Sequence, residues 1–353
     1  MITSATIAFV TTWLAILVLR PTSQRIGLVD VPNARKVHVG AVPLVGGIAV
    51  SFGVLMATLF GLTPQNPMIS ILLLGGMGMV IMGAIDDAKD ISPWLRLFLQ
   101  AILIALVCYY GSITLHNFGD IFTLGDIKMP TVIAWPATIL AVCAAINAYN
   151  MMDGIDGLAG SMAAISLAAL GYTLYPVAPD VSRLCWVIVI ALIPYLMVNL
   201  TIPPFSRKIF LGDAGSMFLG FVIGVLVLYG SQQINDHNTF NPITALWIIG
   251  LPLMDMLGVM VRRIRKGQSP LRPDRNHLHH ILLHAGLSSK QSLLLMILIN
   301  SLIVTCGISL ESNGTPQWLM MTLYLVLFMT YSLCLAFAWK LGSRVKVNDY
   351  ASN

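Results

Sequence analysis

The stretch TVIAWPATILAVCAAINAYNMMDGIDGLAGSMAAISLAALGYTLYP, residues 131–176, joins an apolar run, a short polar interruption and a second apolar run. Neither run alternates polar with apolar positions, so both read as helices rather than strands. The first, 131–149, is close to the roughly 20 residues that cross a bilayer as a helix. The interruption, Asn150-Met151-Met152-Asp153-Gly154-Ile155-Asp156-Gly157, packs carboxylates and glycines into one turn. Ionisable groups at membrane depth are costly, which makes them candidates for function.

The rest of the chain repeats this plan. Of its 353 residues 57% are hydrophobic and only 10% charged, where a soluble domain carries about 25% charged residues. Mean hydropathy is +0.83. Apolar runs occupy 3–20, 43–62, 67–85, 95–111, 131–149, 158–176, 182–202, 214–231, 241–261, 291–310 and 316–339. In lipid only helices or closed barrels satisfy their own backbone. The expected fold is therefore all-α, a single polytopic membrane domain over 1–353 with about 11 transmembrane helices. The cysteines, Cys108, Cys143, Cys185, Cys306 and Cys334, all fall in these runs and form no CxxC pair, so neither a disulfide framework nor a zinc knuckle is expected.

Charge sets the expected orientation. The loops 21–42, 86–94, 150–157, 203–213 and 262–290, with the C-terminal tail, fall on one side. With the adjoining span ends they hold all 20 Lys and Arg residues except Lys128 and Arg183. The positive-inside rule makes that side cytoplasmic, with the N-terminus outside and the C-terminus inside. The longest outer loop, 112–130, has the composition of a small hairpin. The longest inner loop, 262–290, is basic and His-rich and long enough to cover a site.

Further polar interruptions share the cytoplasmic side. Asp86-Asp87 ends the third run, and such a pair needs a metal, a basic neighbour or a shared proton. Asp90 or Ser92 reads as the cap of a helix that starts at Pro93. Asn147, Asn150, Asp153 and Asp156 recur every three residues and would form one polar stripe on a helix. Their hard oxygens suit Mg²⁺, which binds one or two carboxylates together with substrate phosphates. Gly212-Asp213-Ala214-Gly215-Ser216 opens the eighth run. Asp213 there is either an N-cap or the carrier of a cation to a phosphate at the helix N-terminus. His277, His279 and His280 follow Arg262, Arg263, Arg265 and Lys266, with Arg272, Asp274 and Arg275 nearby. HxHH lacks a zinc spacing, and the mixture reads as a clamp for a diphosphate. Headgroup contact accounts for part of the basic run. Asp255, about two turns before Arg262 on the same helix face, is either paired with an arginine or part of the site.

These motifs, spread in order over nearly the whole chain, resemble the polyprenyl-phosphate N-acetylhexosamine-1-phosphate transferases, the glycosyltransferase 4 or MraY-like family. The resemblance rests on Asp86-Asp87, NMMDGIDGLAG at 150–160, FLGDAGS at 210–216 and HLHH at 277–280. Gly27-Leu28-Val29-Asp30, Arg35-Lys36, His38, Pro43 and Gly46-Gly47 add to it. PLMD at 252–255, RRIRKG at 262–267 and Ser269-Pro270…Pro273-Asp274-Arg275 are most similar to the WecA-type branch. The branch that transfers phospho-N-acetylmuramoyl-pentapeptide usually carries three consecutive histidines; here Leu278 intervenes.

The resemblance implies transfer of GlcNAc-1-phosphate from UDP-GlcNAc to undecaprenyl phosphate. It implies Mg²⁺, or Mn²⁺ in its place, and a bacterial inner-membrane location. The step would be the first lipid-linked one of O-antigen or enterobacterial-common-antigen-type synthesis. Asp213 is implied as a metal ligand, with Asn150 or Asp153 as a second. Phe210 is implied to stack on uracil and Asp156 to contact the base, while Asn199 matches a nucleoside-binding position. Lys36, Asp255, the histidines and the Arg262–Arg265 run complete the expected substrate site. Asp86 and Asp87 complete the catalytic one. Because a phosphomonoester has its second pKa near 6, Asp86 is expected to orient charge more than to remove a proton. Besides the two substrates, membrane lipids are expected partners and nucleic acid is not; a homodimer stays open. Another UDP-N-acetylhexosamine or the pentapeptide remains an alternative donor. The rival from another class is a transporter, which would place ionisable groups near the midplane and usually carries repeats.

Overall fold

The computed structural model describes residues 2–31, 40–62, 66–232, 239–269 and 277–351, with side chains through 338. Lys36, with Arg35, His38, Arg272, Asp274 and Arg275, lies outside the described residues. All eleven apolar runs are helical. In order the helices are α1 (Ile2–Thr22), α2 (Gly46–Ala57, continued by a π-helical stretch Thr58–Leu62), α3 (Pro67–Lys89), α4 (Pro93–Tyr110), α5 (Thr131–Met151), α6 (Leu158–Leu174), α7 (Pro179–Asn199) and α8 (Gly212–Ser231). They continue with α9 (Pro242–Ile248), α10 (Gly250–Arg265), α11 (Leu278–His284), α12 (Ser289–Ser312) and α13 (Gln317–Ala351). A two-residue antiparallel pair joins β1 (Val29–Asp30) to β2 (Val42–Pro43). The protein is an all-α, multi-pass membrane protein.

Among the described residues, eight helices are long and apolar enough to cross a membrane, or nine when α9 and α10 count as one bent span. This differs from eleven equivalent spans in two ways. Gly46–Leu62 and α6 are shorter apolar helices. The ninth run is bent by 83° between α9 and α10. Pro252 has no N–H to give its preceding turn, which disfavours a continuous helix. Across from the break, the buried Asn300 side chain of α12 accepts from the Leu251 amide at 3.4 Å. Both residues were visible in the sequence.

α8 is the hub, buried along almost its whole length against α3, α5 and α2. Where α2 starts, its backbone runs directly on α8. A Cβ on Gly47 would stand 2.1 Å from the Gly215 nitrogen, so only glycine allows the crossing. The Gly46 and Gly47 amides also bond the carbonyls of Phe210 and Leu211, each at 2.9 Å. That junction fixes the loop leading into α8.

The far end of α8 is tied down separately. The 112–130 segment forms the expected hairpin, with an antiparallel bridge between Asn117 and Lys128. Gln232, just after α8, accepts from the His116 and Asn117 amides at 3.1 and 3.0 Å.

Candidate active site

Asp87 lies in the last turn of α3, facing the start of α8. Its Oδ1 accepts from the Asp213 amide at 2.9 Å and its Oδ2 from the Ala214 amide at 3.2 Å. It therefore caps α8 from a different helix. The sequence offered Asp213 as that cap. Instead Leu211 occupies the cap position, without a side-chain bond, and the Asp213 carboxylate is left for other work. Asp213 Oδ1 accepts from Asn150 Nδ2 at 2.5 Å, and Asn150 Nδ2 also donates to Ser216 Oγ at 2.9 Å.

Asp86 is buried and held on both oxygens. Oδ1 accepts from the Ile91 amide at 2.8 Å, and Oδ2 pairs with Arg96 Nη1 of α4 at 3.1 Å. The carboxylate of Asp86 also lies against that of Asp213. Two carboxylates in contact need a proton or a cation between them. Asp90 ends α3 in the left-handed conformation, φ 52°, and Ser92 caps α4.

Asn150 lies in the last turn of α5, and Asp153 and Asp156 follow in the turn before α6. The polar stripe expected on one helix is thus split. Asn147 bonds the Cys143 carbonyl within α5 at 2.7 Å, and only the later three residues reach the cluster or its rim. The Asp153 carboxyl is pushed up to about 7 by the protein packed around it, then by the charges of Asp213 and Asp156, against a contact from the Gly212 amide. By surface area the residue is nonetheless exposed. It stands at an open rim where water reaches it.

On the other side of this turn, Lys208 Nζ pairs with Asp156 at 3.0 Å and stands 5.1 Å from the Phe210 ring centroid. The Phe210 amide bonds the Pro43 carbonyl at 2.8 Å. Asn199 is buried, and its Nδ2 donates to the Ile209 carbonyl at 2.7 Å while Oδ1 has no partner. Asn199 thus braces the loop that presents Phe210.

The HLHH segment comes to the same turn. His277 precedes α11, and its Nδ1 lies 2.7 Å from Asp255 Oδ2. Asp255 is fully buried and pairs with this histidine; of the two readings open from the sequence, an arginine partner or a place in the site, the contact with HLHH supports the second. Its Oδ1 accepts from the Leu278 amide at 2.9 Å and the Tyr331 hydroxyl at 2.6 Å. His277 stacks parallel on His279 with ring centroids 5.8 Å apart, and His280 lies 4.2 Å from His279. A Cβ on Gly154 would fall 2.1 Å from His279 Nε2. The glycine between Asp153 and Asp156 therefore exists to admit this ring.

His279 is 1% exposed and neither ring nitrogen has a partner. Burial, then the neighbouring charge of His280, lower its pKa to about 3, with His277 adding to the effect and Asp255 opposing it. It is therefore a neutral ring at pH 7. An anion beside it would restore basicity. The basic run splits: Arg262 is half-buried, Arg263 buried and Arg265 exposed.

Asp87, Asp153 and Asp213 form no salt bridge among the described residues, and no three His, Cys or acidic side chains close around one point. This donor set still fits Mg²⁺. That ion keeps waters and needs only one or two protein carboxylates beside substrate phosphate, and the Asp86–Asp213 contact calls for positive charge. Asp213, with Asn150 or Asp153, are the groups able to hold it.

The Glycosyl transferase family 4 profile matches residues 69–231. Undecaprenyl-phosphate alpha-N-acetylglucosaminyl 1-phosphate transferase of Escherichia coli (strain K12) is 39% identical over 341 residues, 96% of this chain and 92% of its own. The protein of that name from Salmonella typhi gives the same identity and coverage. The one from Haemophilus influenzae is 40% identical over 347 residues, 96% of this chain and 95% of its own. The chain belongs to glycosyl transferase family 4.

In this family 4 chain the matched region holds the whole carboxylate cluster, while HLHH, Asp255 and Tyr331 lie beyond it. Three contributors escaped the sequence reading: Arg96, Lys208 and Tyr331. Arg96 had a signal, being a lone cation nine positions after Asp87 in an apolar helix. One turn on, the side chain of Gln100 is buried with neither amide atom partnered. Tyr331 had no signal, because nothing in a sequence brings it to Asp255. A cavity of about 410 Å³ between Tyr172, Trp186, Phe240 and Glu311 contains none of the motif residues.

Proposed function

We propose that this protein transfers GlcNAc-1-phosphate from UDP-GlcNAc to undecaprenyl phosphate, giving GlcNAc-diphospho-undecaprenol and UMP. It works with Mg²⁺, or Mn²⁺ in its place, on the cytoplasmic face of a bacterial inner membrane, with its N-terminus outside. The observation that carries the reading is the convergence of four separate polar interruptions. Asp87 reaches Asp213, Asn150 reaches Asp213, and His279 packs on Gly154.

Both reactants are anions, so repulsion is the chief obstacle and positioning with charge compensation the chief remedy. A divalent cation supplies charge neutralisation to the phosphates it touches. Asp213, oriented by Asn150, and Asp153 at the rim would hold it. Asp87 fixes the α8 N-terminus, keeping Asp213 in register. Asp86 keeps Arg96 at the edge of the cluster. With both of its oxygens already engaged, Asp86 orients charge better than it takes up a proton. Phe210 offers a ring face of the kind uracil stacks on, beside the Asp156–Lys208 pair. His279, neutral and without partners, gains a hydrogen-bond partner once phosphate arrives.

The test uses purified protein in detergent with UDP-GlcNAc radiolabelled in the sugar, undecaprenyl phosphate and Mg²⁺. Label should pass into the organic phase in proportion to UMP formed. A transporter, or a transferase for a different sugar, would leave the label in water.

A further inference from the structure

Asp255 is chemically unlike the other acidic groups. It is 0% exposed, yet three donors from two other elements saturate it: His277 Nδ1, the Leu278 amide and the Tyr331 hydroxyl. A carboxylate so occupied has little capacity left for a metal or a substrate proton. What it can do is fix its partners. The Leu278 bond caps α11 from outside, as Asp87 caps α8. The His277 bond fixes a ring state, because an ionised carboxylate only accepts; Nδ1 must carry the hydrogen, leaving Nε2 as the ring's working nitrogen. The ring so fixed lies parallel to His279, which packs on Gly154 at the rim of the carboxylate cluster. A continuous contact chain thus runs from the last helix to the site: Tyr331, Asp255, His277, His279, Gly154.

We infer that Asp255 and Tyr331 are positioning residues for nucleotide-sugar use: they lock the orientation and tautomer of His277 and, through it, the placement of His279. This rests on the reading that the site takes UDP-GlcNAc. Tyr331 belongs to α13, remote from every motif in sequence, and the hydroxyl is its link to the site.

Tyr331→Phe removes that hydroxyl and nothing else. It should lower kcat/KM for UDP-GlcNAc about tenfold, the size of one hydrogen bond to a charged group, and leave KM for undecaprenyl phosphate unchanged. Combined with His277→Ala it should cause no further loss, since both act through one link. A purely structural role for Tyr331 would instead lower the melting temperature and multiply the two losses. That outcome, or unchanged UDP-GlcNAc kinetics in the single variant, overturns the inference.

Nitrogen NMR on protein labelled with ¹⁵N-histidine gives a reading independent of turnover. His277 should show hydrogen at Nδ1, and in Asp255→Asn or Tyr331→Phe that state should mix with the other tautomer. An unchanged His277 signal in both variants sinks the proposal even if one of them folds poorly in the assay. If the wild-type protein makes no lipid-extractable label from UDP-GlcNAc, the functional reading fails, and the NMR result alone decides the positioning claim.

Discussion

Two acidic centres, one fully buried and one partly open to water, lie near the same end of the bundle and are built on opposite principles. Around Asp255 each oxygen accepts from a donor, and a single carboxylate serves three partners. Around Asp213 carboxylates face one another: Asp86 lies against it, Asp87 caps its helix, and Asp153 stands at the rim. The first arrangement is complete without a ligand. The second carries surplus negative charge that folding does not neutralise. A saturated carboxylate marks a hinge pin, and a crowded one marks a place where a cation is expected.

Substitutions should separate the two centres. Asp213→Asn removes the charge proposed to carry the cation. Transfer should fall on the order of 10³-fold, as when a main electrostatic contributor is lost, with the melting temperature unchanged or raised. Activity within tenfold of wild type at limiting Mg²⁺ would remove Asp213 from the metal role. Asp86→Asn should give a smaller loss, roughly ten- to a hundredfold, nearly constant from about pH 6.5 to about pH 9, across and above the second ionisation of the lipid phosphate. A loss that vanishes at high pH would make Asp86 a general base after all. Asp87→Ala exposes the α8 amides and should destabilise the protein by about 1–2 kcal/mol, the usual worth of a cap. Asp87→Ser should recover part of that stability without recovering full activity. A melting temperature untouched by Asp87→Ala would contradict the capping assignment.

The smallest effect concerns pH and stability. In the folded protein Asp153 keeps its proton up to about 7, against 3.8 for the free side chain. Metal-free protein is therefore favoured by this group below about pH 4, and the advantage is lost as pH rises through about 7. Because Asp153 is exposed, the slope should be shallow. Mg²⁺ should flatten it. A metal-free melting temperature that rises with pH over this range would show the opposite sign.

The sequence carried the helices because eleven apolar runs admit no other satisfied backbone in lipid. It also carried the identity of most site residues, since a carboxylate at a bilayer edge stands out against leucine and valine. Pairing was harder to read. That Asp87 caps α8 was not legible from its own helix, and of the two readings open for Asp213, cap or cation carrier, the first falls away because Asp87 takes the amides. For Asp255 helical spacing left open an arginine partner or a place in the site, but its partners come from 22, 23 and 76 positions away. Spacing reports neighbours on one helix, whereas these bonds link different helices. The bend at Ile249 was missed although Pro252 signalled it, because hydropathy is blind to direction.

We propose that the Asp213 cluster holds the cation while the Asp255 centre holds only geometry. Mn²⁺ binding to purified protein, followed by electron paramagnetic resonance without any substrate, tests it directly. Wild-type protein and Asp255→Asn should bind Mn²⁺ alike, and Asp213→Asn should lose that binding. Equal binding by Asp213→Asn and wild type, or loss confined to Asp255→Asn, would take the cation away from the Asp213 cluster.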